Sequence, residues 1–344
     1  MFFANYGLRL KENKVAKLSH LDIGSIVHRI AELFVQDISA FDGLDDVAFK
    51  SGVEKLCVAV FEEYNVNKNR NQAILNFILG ESQRLCAHLY FEQQNSSFKS
   101  IKNEYEFAGE NAVKLQIEDG RVVLIEGKID RIDQWGDYVR IIDYKTGDIK
   151  NDLSSIYYGK KIQLVSYLSA VTGFTGKKVA GIFYFPIHSD FVKNDKKIKN
   201  IYKLQGFLIN DAEVLRHMDN SVSFENPESD LIQFKIKTGK ENVNTNTFEI
   251  SKGPSKVYFD DDEFEKMKAY NTKLCEGAVS EILSGYVEPS PMTMGDADSK
   301  VCRFCEFAGF CGLEKARFVD GRKCHGKVSI DSFVENNEGD SDGK

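Results

Sequence analysis

The stretch that decides the fold is 126-EGKIDRIDQWGDYVRIIDYKTG-147, in which two apolar segments flank the turn sequence Gln-Trp-Gly-Asp. Each apolar segment carries an acidic residue, Asp130 or Asp143, and Lys145 follows Asp143 by two positions. Side chains alternate between the faces of a strand, so Asp143 and Lys145 should share one face, with Asp130 on a strand about 4.8 Å away. A solvated hairpin with surface ion pairs is the alternative, which the apolar flanks disfavour. The stretch therefore predicts that two carboxylates and one ammonium group converge.

Two carboxylates beside an ammonium group suit a hard divalent cation such as Mg²⁺, which takes oxygen ligands and keeps open water positions. The ammonium group would steady the attacking water or the phosphorane. Two further acids, Glu126 and Asp133, lie on the first predicted strand. Asp133 has the opposite parity to Asp130 and should face away, and Glu126 lies two strand steps back. We expect both to form surface pairs with Lys128 or Arg131, outside the metal site.

The sequence around this stretch indicates an α/β domain. Apolar residues recur at helical spacing in the first hundred residues, and β-branched and aromatic segments with turn signals follow. The predicted helices cover residues 21–34, 45–64, 69–94, 154–172 and 264–283, and the predicted strands lie within 104–144 and 179–187. We expect the first strands to form an antiparallel meander. Strands, a helix and a further strand in that order favour a mixed sheet.

Two helical segments carry polar residues at a spacing of four, 24-GSIVH-28 and 163-QLVSY-167. This spacing places Gln163 and Tyr167 on one helical face. Gly24 permits the close approach of another backbone, four residues before His28. Taken alone, a core tyrosine with a nearby glutamine is an equally good interpretation of the second segment, and a packed or surface histidine is a better interpretation of His28 than a ligand.

Together, the ordered motifs G-xxx-H, G-x-I-D-R-I-D, D-Y-K-T-G and Q-xxx-Y resemble those of the RecB-type branch of the PD-(D/E)xK nuclease superfamily. The matching residues are Gly24 and His28, Gly127 and Asp130, Asp143 and Lys145, and Gln163 and Tyr167. The resemblance implies a restriction-endonuclease-like α/β fold, with a mixed central sheet flanked by helices. It also implies metal-dependent hydrolysis of DNA phosphodiesters.

The same resemblance implies roles for the site residues. The implied ligands of Mg²⁺ or Mn²⁺ are Asp130, Asp143, the carbonyl of Tyr144 and His28. Lys145 would position or deprotonate the attacking water, and Gln163 and Tyr167 would orient the DNA or the lysine.

Seven cysteines in a chain without a signal-peptide pattern do not indicate a secreted disulfide framework. In 302-CRFCEFAGFC-311, the thiolates of Cys302, Cys305 and Cys311 could ligate a zinc ion or an iron–sulfur cluster, and both need a fourth ligand. Candidates for it within the chain are Cys324, Cys86 and His325. A local zinc knuckle with Cys324 is the interpretation that spacing alone favours. Cys57 and Cys275 lie in helical patterns and should be packing residues.

This segment is also similar to the C-terminal nuclease domain of the B subunit of AddAB-type helicase–nucleases, where the cysteine trio follows the nuclease motifs. The resemblance covers residues 2–318 and implies a [4Fe–4S] cluster whose fourth cysteine lies far upstream. Residues 2–10 look like the continuation of that upstream segment. We therefore expect the fourth ligand a few residues before Met1, outside the given chain.

The charge balance limits the partners. A formal net charge of −7 argues against a basic nucleic-acid coat protein but not against a local DNA groove. The lysine-rich residues 188–203 indicate either a surface loop or a DNA contact. Neither a membrane span nor a phosphate-binding loop motif occurs, so we expect a cytoplasmic protein that binds no membrane and hydrolyses no ATP.

We expect four regions: helical residues 1–100, a nuclease core over 101–290, a cysteine-rich segment over 291–320, and a disordered acidic tail over 321–344. The predicted function is that of a Mg²⁺-dependent exonuclease-type domain acting on single-stranded DNA. An AddA-like helicase–nuclease subunit would deliver that strand from a duplex end during recombinational repair of double-strand breaks. The alternatives are a non-catalytic DNA-end clamp and a stand-alone phage or defence nuclease.

Overall fold

A computed structural model of the protein describes residues 20–66, 68–147, 152–187, 202–252, 257–286, 292–294, 322–324 and 328–335. Three α-helices precede the first strand, and helices are interspersed with strands after the fifth strand. Within the described ranges the helices are α1 (His20–Gln36), α2 (Asp46–Glu63), α3 (Lys68–Asn95), α4 (Leu153–Tyr157), α5 (Gln163–Thr175), α6 (Ala212–Met218), α7 (Lys240–Thr245), α8 (Asp261–Leu283) and α9 (Ser332–Glu335).

A six-stranded mixed sheet forms the centre of the fold. Among the described residues, the strands of this sheet and of two two-stranded sheets are β1 (Lys99–Phe107), β2 (Val113–Gln116), β3 (Val122–Ile125), β4 (Gly127–Trp135), β5 (Tyr138–Lys145), β6 (Lys178–Pro186), β7 (Gln205–Ile209), β8 (Tyr258–Phe259), β9 (Met292–Met294) and β10 (Arg322–Cys324). The sheet order is β1-β4-β5-β6-β7-β8, with β5 parallel to β6 and β7 parallel to β8. The predicted fold class, a mixed sheet with helices and a helical N-terminal region, is confirmed.

The three predicted N-terminal helices are present, and the sequence of α2 carries both a start signal and an apolar face. The side chain of Asp45 caps α2 by accepting a 2.8 Å hydrogen bond from the backbone amide of Ala48. Val53, Cys57 and Val60 recur at spacings of three and four and are fully buried in the main core. The helical region therefore shares one hydrophobic core with the sheet.

The predicted meander is wrong in one respect, because β2 and β3 form a separate two-stranded ribbon. The β1–β4 ladder ends where Phe107 pairs with Gly127, so the residues between them leave the sheet. In the ribbon, Leu115 packs against Cys275 of α8 in a small cluster of its own. Gly127 is required at the end of the ladder, since a Cβ atom there would lie 2.7 Å from the ring of Phe107.

The helix predicted over residues 154–172 is divided into α4 and α5. Gly159 interrupts it with a φ of +71°, a conformation that favours glycine. The next two residues, Lys160 and Lys161, turn back, and both backbone amides donate hydrogen bonds of 2.8 and 2.9 Å to the carbonyl of Ser155. A second helix can therefore begin at Gln163 in a new direction.

Two regions that the sequence predicts to be irregular contain a helix or buried side chains. The region 238–256, which the sequence indicates as a loop, contains the short helix α7. Within residues 321–344, expected to be a disordered tail, Ile330 and Phe333 are 2% and 6% exposed and belong to the main core. The ring of Phe333 packs against those of Tyr157 and Tyr270. No helix among the described residues is long and apolar enough to cross a membrane.

Candidate active site

Three acidic residues lie side by side on adjacent strands of the sheet. The β1–β4 register places Glu104 opposite Asp130. The β4–β5 register, continued by one residue, places Asp130 opposite Asp143. Residues that face each other across a ladder project to the same side, so three strands present three carboxylates to one region.

The histidine of the first motif reaches this region from α1. His28 Nε2 lies 3.0 Å from Oδ2 of Asp130, and Nδ1 lies 3.5 Å from Oε1 of Glu104. Burial by itself would lower the pKa of His28, but the hydrogen bond to Asp130 and the charges of Asp130, Glu104 and Asp143 raise it above its ordinary value. The imidazole therefore partly neutralises a cluster of like charges.

The glycine of this motif brings α1 close to the end of β5. A Cβ atom at Gly24 would lie 3.2 Å from Cγ2 of Thr146. We expected Gly24 to allow another backbone to approach; the atoms that approach it belong to a threonine side chain. A larger residue here would meet the Thr146 side chain, and one of the two would have to shift.

Glu104 is the site residue that the sequence did not reveal. One ligand atom from each of His28, Glu104 and Asp130 lies within 4.8 Å of the others, a spacing that could hold a metal ion. Glu104 has a φ of +52°, a strained conformation that costs a non-glycine residue about 1–3 kcal/mol. The sequence marks it only as an acid in a predicted strand, because no motif contains it.

The donor atoms of this cluster fit a hard divalent cation. Oε1 of Glu104 is buried and accepts no hydrogen bond from the described residues, although it lies near the ring of His28. Oxygen donors with one imidazole suit Mg²⁺ or Mn²⁺. Lys128 Nζ pairs with the other oxygen of Glu104, so a cation at Oε1 would not have to displace it.

The second acid of the predicted metal site forms an ion pair with the predicted catalytic lysine. Asp143 is 2% exposed, and Lys145 Nζ lies 2.6 Å from its Oδ2. Burial and the charge of Asp130 raise the pKa of Asp143 from 3.8 to about 6, against the opposing effects of Lys145 and His28. The raised pKa therefore reflects first the burial of the Asp143 carboxyl and second the neighbouring charge of Asp130.

Three side chains of the last two motifs form a hydrogen-bonded chain. Lys145 Nζ donates a 2.9 Å hydrogen bond to Oε1 of Gln163, whose amide donates a 2.7 Å hydrogen bond to the hydroxyl of Tyr167. Burial, followed by the charge of Asp143, raises the pKa of Tyr167 far above its ordinary value, so the phenol stays protonated. The predicted helical face thus supplies a second contact to the lysine, in addition to Asp143.

Tyr144 contributes a backbone contact to the site. Its amide donates a 2.7 Å hydrogen bond to Oδ2 of Asp130, which joins β4 to β5 beside the acids. Its ring lies edge-on to that of His28, with centroids 5.4 Å apart. The role of the Tyr144 carbonyl as a metal ligand stays a prediction.

Asp133 faces away from the site, as its parity predicts, but its expected surface location is wrong. It is fully buried, with Arg131 Nε 2.7 Å from one carboxylate oxygen and Arg140 Nη2 2.7 Å from the other. Both guanidinium groups also pair with Glu92 of α3. Four charges are buried because each has two opposite partners, an arrangement that no spacing rule anticipates.

Glu126, the other excluded acid, is exposed and pairs differently from expectation. Its Oε1 accepts a 2.9 Å hydrogen bond from the backbone amide of Gly109. Lys128, its predicted partner, pairs with Glu104 instead.

The cysteine trio Cys302, Cys305 and Cys311 lies outside the described residues. Cys57 and Cys275 are buried packing residues, as predicted, and burial raises the pKa of Cys57 to about 11. Cys86, one candidate for a fourth ligand, is fully buried in the main core, and burial raises its pKa well above the ordinary value.

Comparison with known proteins agrees with this geometry. Residues 1–312 match the family model of the PD-(D/E)XK nuclease superfamily. The chain belongs to this superfamily. The resemblance that the four motifs indicated is thereby confirmed, and the acids, the lysine and the glutamine of this superfamily member lie at one end of β4, β5 and α5.

Curated relatives of this superfamily member carry the name of the B subunit of an ATP-dependent helicase/deoxyribonuclease. The chain is 27% identical over 363 residues to that protein of Alkaliphilus metalliredigens (strain QYMF), covering 97% of the chain and 30% of the relative. For Alkaliphilus oremlandii (strain OhILAs) the identity is 28% over 341 residues, covering 91% and 28%. For Clostridium tetani (strain Massachusetts / E88) it is 27% over 369 residues, covering 94% and 30%. The chain thus spans 28–30% of the length of these relatives.

Proposed function

We propose that this chain is a metal-dependent deoxyribonuclease domain that hydrolyses phosphodiester bonds of single-stranded DNA. The observation that carries the proposal is the convergence of His28, Glu104 and Asp130 with the Asp143–Lys145 ion pair at one end of the sheet. Membership in a nuclease superfamily and the deoxyribonuclease names of the relatives support it.

The metal would be Mg²⁺ or Mn²⁺, held by Asp130, Glu104 and His28, with Asp143 next to them. A bound divalent cation would stabilise the negative charge of the phosphate and lower the pKa of a bound water. Asp143 would keep the Lys145 ammonium near the scissile phosphate. The ammonium group would then donate a hydrogen bond that orients the attacking water, and only after losing its own proton would Lys145 take one from that water.

Gln163 and Tyr167 would position the lysine. The Gln163 side chain accepts a hydrogen bond from the Lys145 ammonium group, which also pairs with Asp143, so two side chains hold it. The partly buried hydroxyl of Tyr167 fixes the orientation of the Gln163 amide in turn. Positioning of this kind accounts for much of enzymatic phosphodiester chemistry.

The names of the relatives suggest the wider setting. We propose that this domain acts in the cytoplasm on a strand delivered from a duplex end by an AddA-like helicase–nuclease partner, in recombinational repair. We also propose that Cys302, Cys305 and Cys311 hold an iron–sulfur cluster. Three closely spaced thiolates supply most of the ligands of such a cluster.

The test is cleavage of end-labelled linear single-stranded DNA by the purified chain with Mg²⁺ or Mn²⁺. We expect wild type to degrade it, and Asp143→Ala and Lys145→Ala to abolish degradation. Matched controls are Asp137→Ala, at a side chain that is 94% exposed in the β4–β5 turn, and Lys55→Ala on the exposed face of α2. Undiminished cleavage by both site variants would refute the assignment, and DNA binding without cleavage would favour the non-catalytic clamp.

A further inference from the structure

A second cavity adjoins the catalytic lysine on the side of α5. It has a volume of about 310 Å³, and its lining includes Lys145, Lys160, Lys161, Gln163 and Tyr184. A larger cavity of about 590 Å³ contains the metal-site residues His28 and Glu104. Both cavities are lined by Lys145 and Gly147, so the catalytic lysine stands at their junction.

The two cavities differ in charge. The described lining of the smaller cavity contains three lysines and no carboxylate, whereas that of the larger one mixes three glutamates, including Glu104, with Arg29, Lys128 and Lys145. The ammonium groups of Lys145 and Lys161 lie 5.5 and 5.7 Å from the centroid of the Tyr184 ring. We call the smaller cavity, with Lys160 and Lys161, the basic cavity.

The fold holds the backbone of the basic cavity in place. Both lysines occupy the turn that follows Gly159, where their backbone amides donate to the carbonyl of Ser155. The same segment is tied to α8 by a 2.9 Å hydrogen bond from the hydroxyl of Tyr270 to the carbonyl of Tyr157. The turn is therefore preorganised, although Lys160 is exposed and Lys161 half-buried.

A carboxylate near the turn is already engaged. Asp152 shares a neighbouring hollow with Lys161, but its oxygens accept hydrogen bonds of 2.7 and 2.8 Å from the amide and hydroxyl of Ser155. Asp152 thereby caps α4. The cap accounts for the role of Asp152 in the fold.

We propose that Lys160 and Lys161 bind the DNA phosphate next to the one that is cleaved, so that the strand crosses Lys145 from the basic cavity to the metal cluster. This inference rests on the proposed nuclease function and names the path of its substrate. Lysine ammonium groups bind phosphate as point charges, and phosphate contacts set the register of a nucleic acid without reading its sequence. The first turn of α5, which begins at Gln163, adds partial positive charge at the same place.

The experiment measures binding of fluorescently labelled oligothymidylate to the intact chain in EDTA, by anisotropy over a range of salt concentrations. Each phosphate neutralised on a single strand contributes about 0.7 to the slope of log affinity against log salt, so Lys160→Gln/Lys161→Gln, which releases one phosphate, should reduce that slope by about 0.7. In cleavage assays the same variant should raise KM about tenfold, with a smaller effect on kcat, because it removes ground-state binding.

Two matched variants separate charge from structure. Lys160→Arg/Lys161→Arg keeps both charges and should restore the wild-type slope. Lys50→Gln/Lys55→Gln removes two exposed lysines of α2, which do not line the basic cavity, and should leave the slope as in wild type.

The outcomes distinguish this inference from the function on which it rests. If wild type binds and cleaves DNA but the double glutamine variant keeps the wild-type slope, the basic cavity is not on the path and only this inference fails. If wild type neither binds nor cleaves single-stranded DNA, the proposed function and the inference both fail.

Discussion

Glu104 lies directly opposite Asp130 across the β1–β4 ladder, with a φ of +52° that is unusual for glutamate. Facing carboxylates repel each other, and the strained backbone adds to the cost. The ring of His28, which contacts both side chains, offsets part of that repulsion. A site that keeps two unfavourable features is typical of a place where a cation binds.

Glu104→Gln should weaken binding of Mn²⁺ at least tenfold, since it removes one negative oxygen donor from the cluster. Isothermal titration calorimetry with Mn²⁺ measures this change directly. Glu106→Gln, two residues further along the same strand and exposed, is the matched control and should bind as wild type does. An unchanged affinity in Glu104→Gln would remove this residue from the metal site.

The metal-free protein should lose stability as the pH rises through the range from about 4 to about 6. The folded state raises the pKa of Asp143 to about 6, so it binds the proton more tightly than the unfolded chain does. A proton bound preferentially by the folded state stabilises it at low pH, and this contribution is lost as the carboxyl ionises. The free energy of unfolding should therefore fall by about 3 kcal/mol relative to Asp143→Asn across this range.

Urea unfolding of wild type and Asp143→Asn in EDTA, at pH 4 and pH 7, tests this prediction. The asparagine variant lacks the titrating group. Its free energy of unfolding should therefore fall less between pH 4 and pH 7 than that of wild type. Equal pH dependence of the two proteins would contradict the raised pKa. Adding Mn²⁺ at pH 7 should stabilise wild type and have little effect on the variant.

Asp133→Asn should destabilise the fold by about 3–5 kcal/mol, because Arg131 and Arg140 would then share a single buried counter-charge in Glu92. Asp137→Asn is the matched control at the exposed β4–β5 turn and should change stability by less than about 0.5 kcal/mol. Denaturant unfolding measures both changes. A loss below about 1 kcal/mol in Asp133→Asn would show that the network is not required for the helices and sheet to pack.

Gln163→Ala should lower the single-turnover cleavage rate about 100-fold, because a small displacement of Lys145 is costly for a positioned reaction. Tyr167→Phe should have a smaller effect, since it removes only the hydroxyl that orients Gln163. The dependence of the rate on pH should also shift in Gln163→Ala if Lys145 takes part in proton transfer. Rates equal to wild type in both variants would contradict the positioning role.

The metal content of the protein tests the proposed role of Cys302, Cys305 and Cys311 independently of cleavage. Protein purified without oxygen should contain iron and sulfide, and Cys302→Ser should lose both. Elemental analysis and visible absorption measure the content. Stoichiometric zinc without sulfide would favour the zinc knuckle, and the absence of both metals would show that these three thiolates hold no metal without a further ligand.

The sequence by itself determined the features that depend on local backbone geometry. Strand alternation places Asp143 and Lys145 on one face and turns Asp133 away, and helical spacing places Gln163 beside Tyr167. These relations hold within a single strand or helix, so neighbours in sequence suffice to predict them. The order of the motifs was enough to indicate the nuclease superfamily.

The tertiary structure alone decided which distant residues meet. Glu104 joins the site because β1 pairs with β4 across an excursion of the chain, and the four buried charges meet because α3 packs on the sheet. Lys160 and Lys161 line the same cavity as Lys145 because Gly159 interrupts the helix and α5 starts in a new direction. Such contacts depend on the packing energy of the whole domain, which no short stretch of sequence contains.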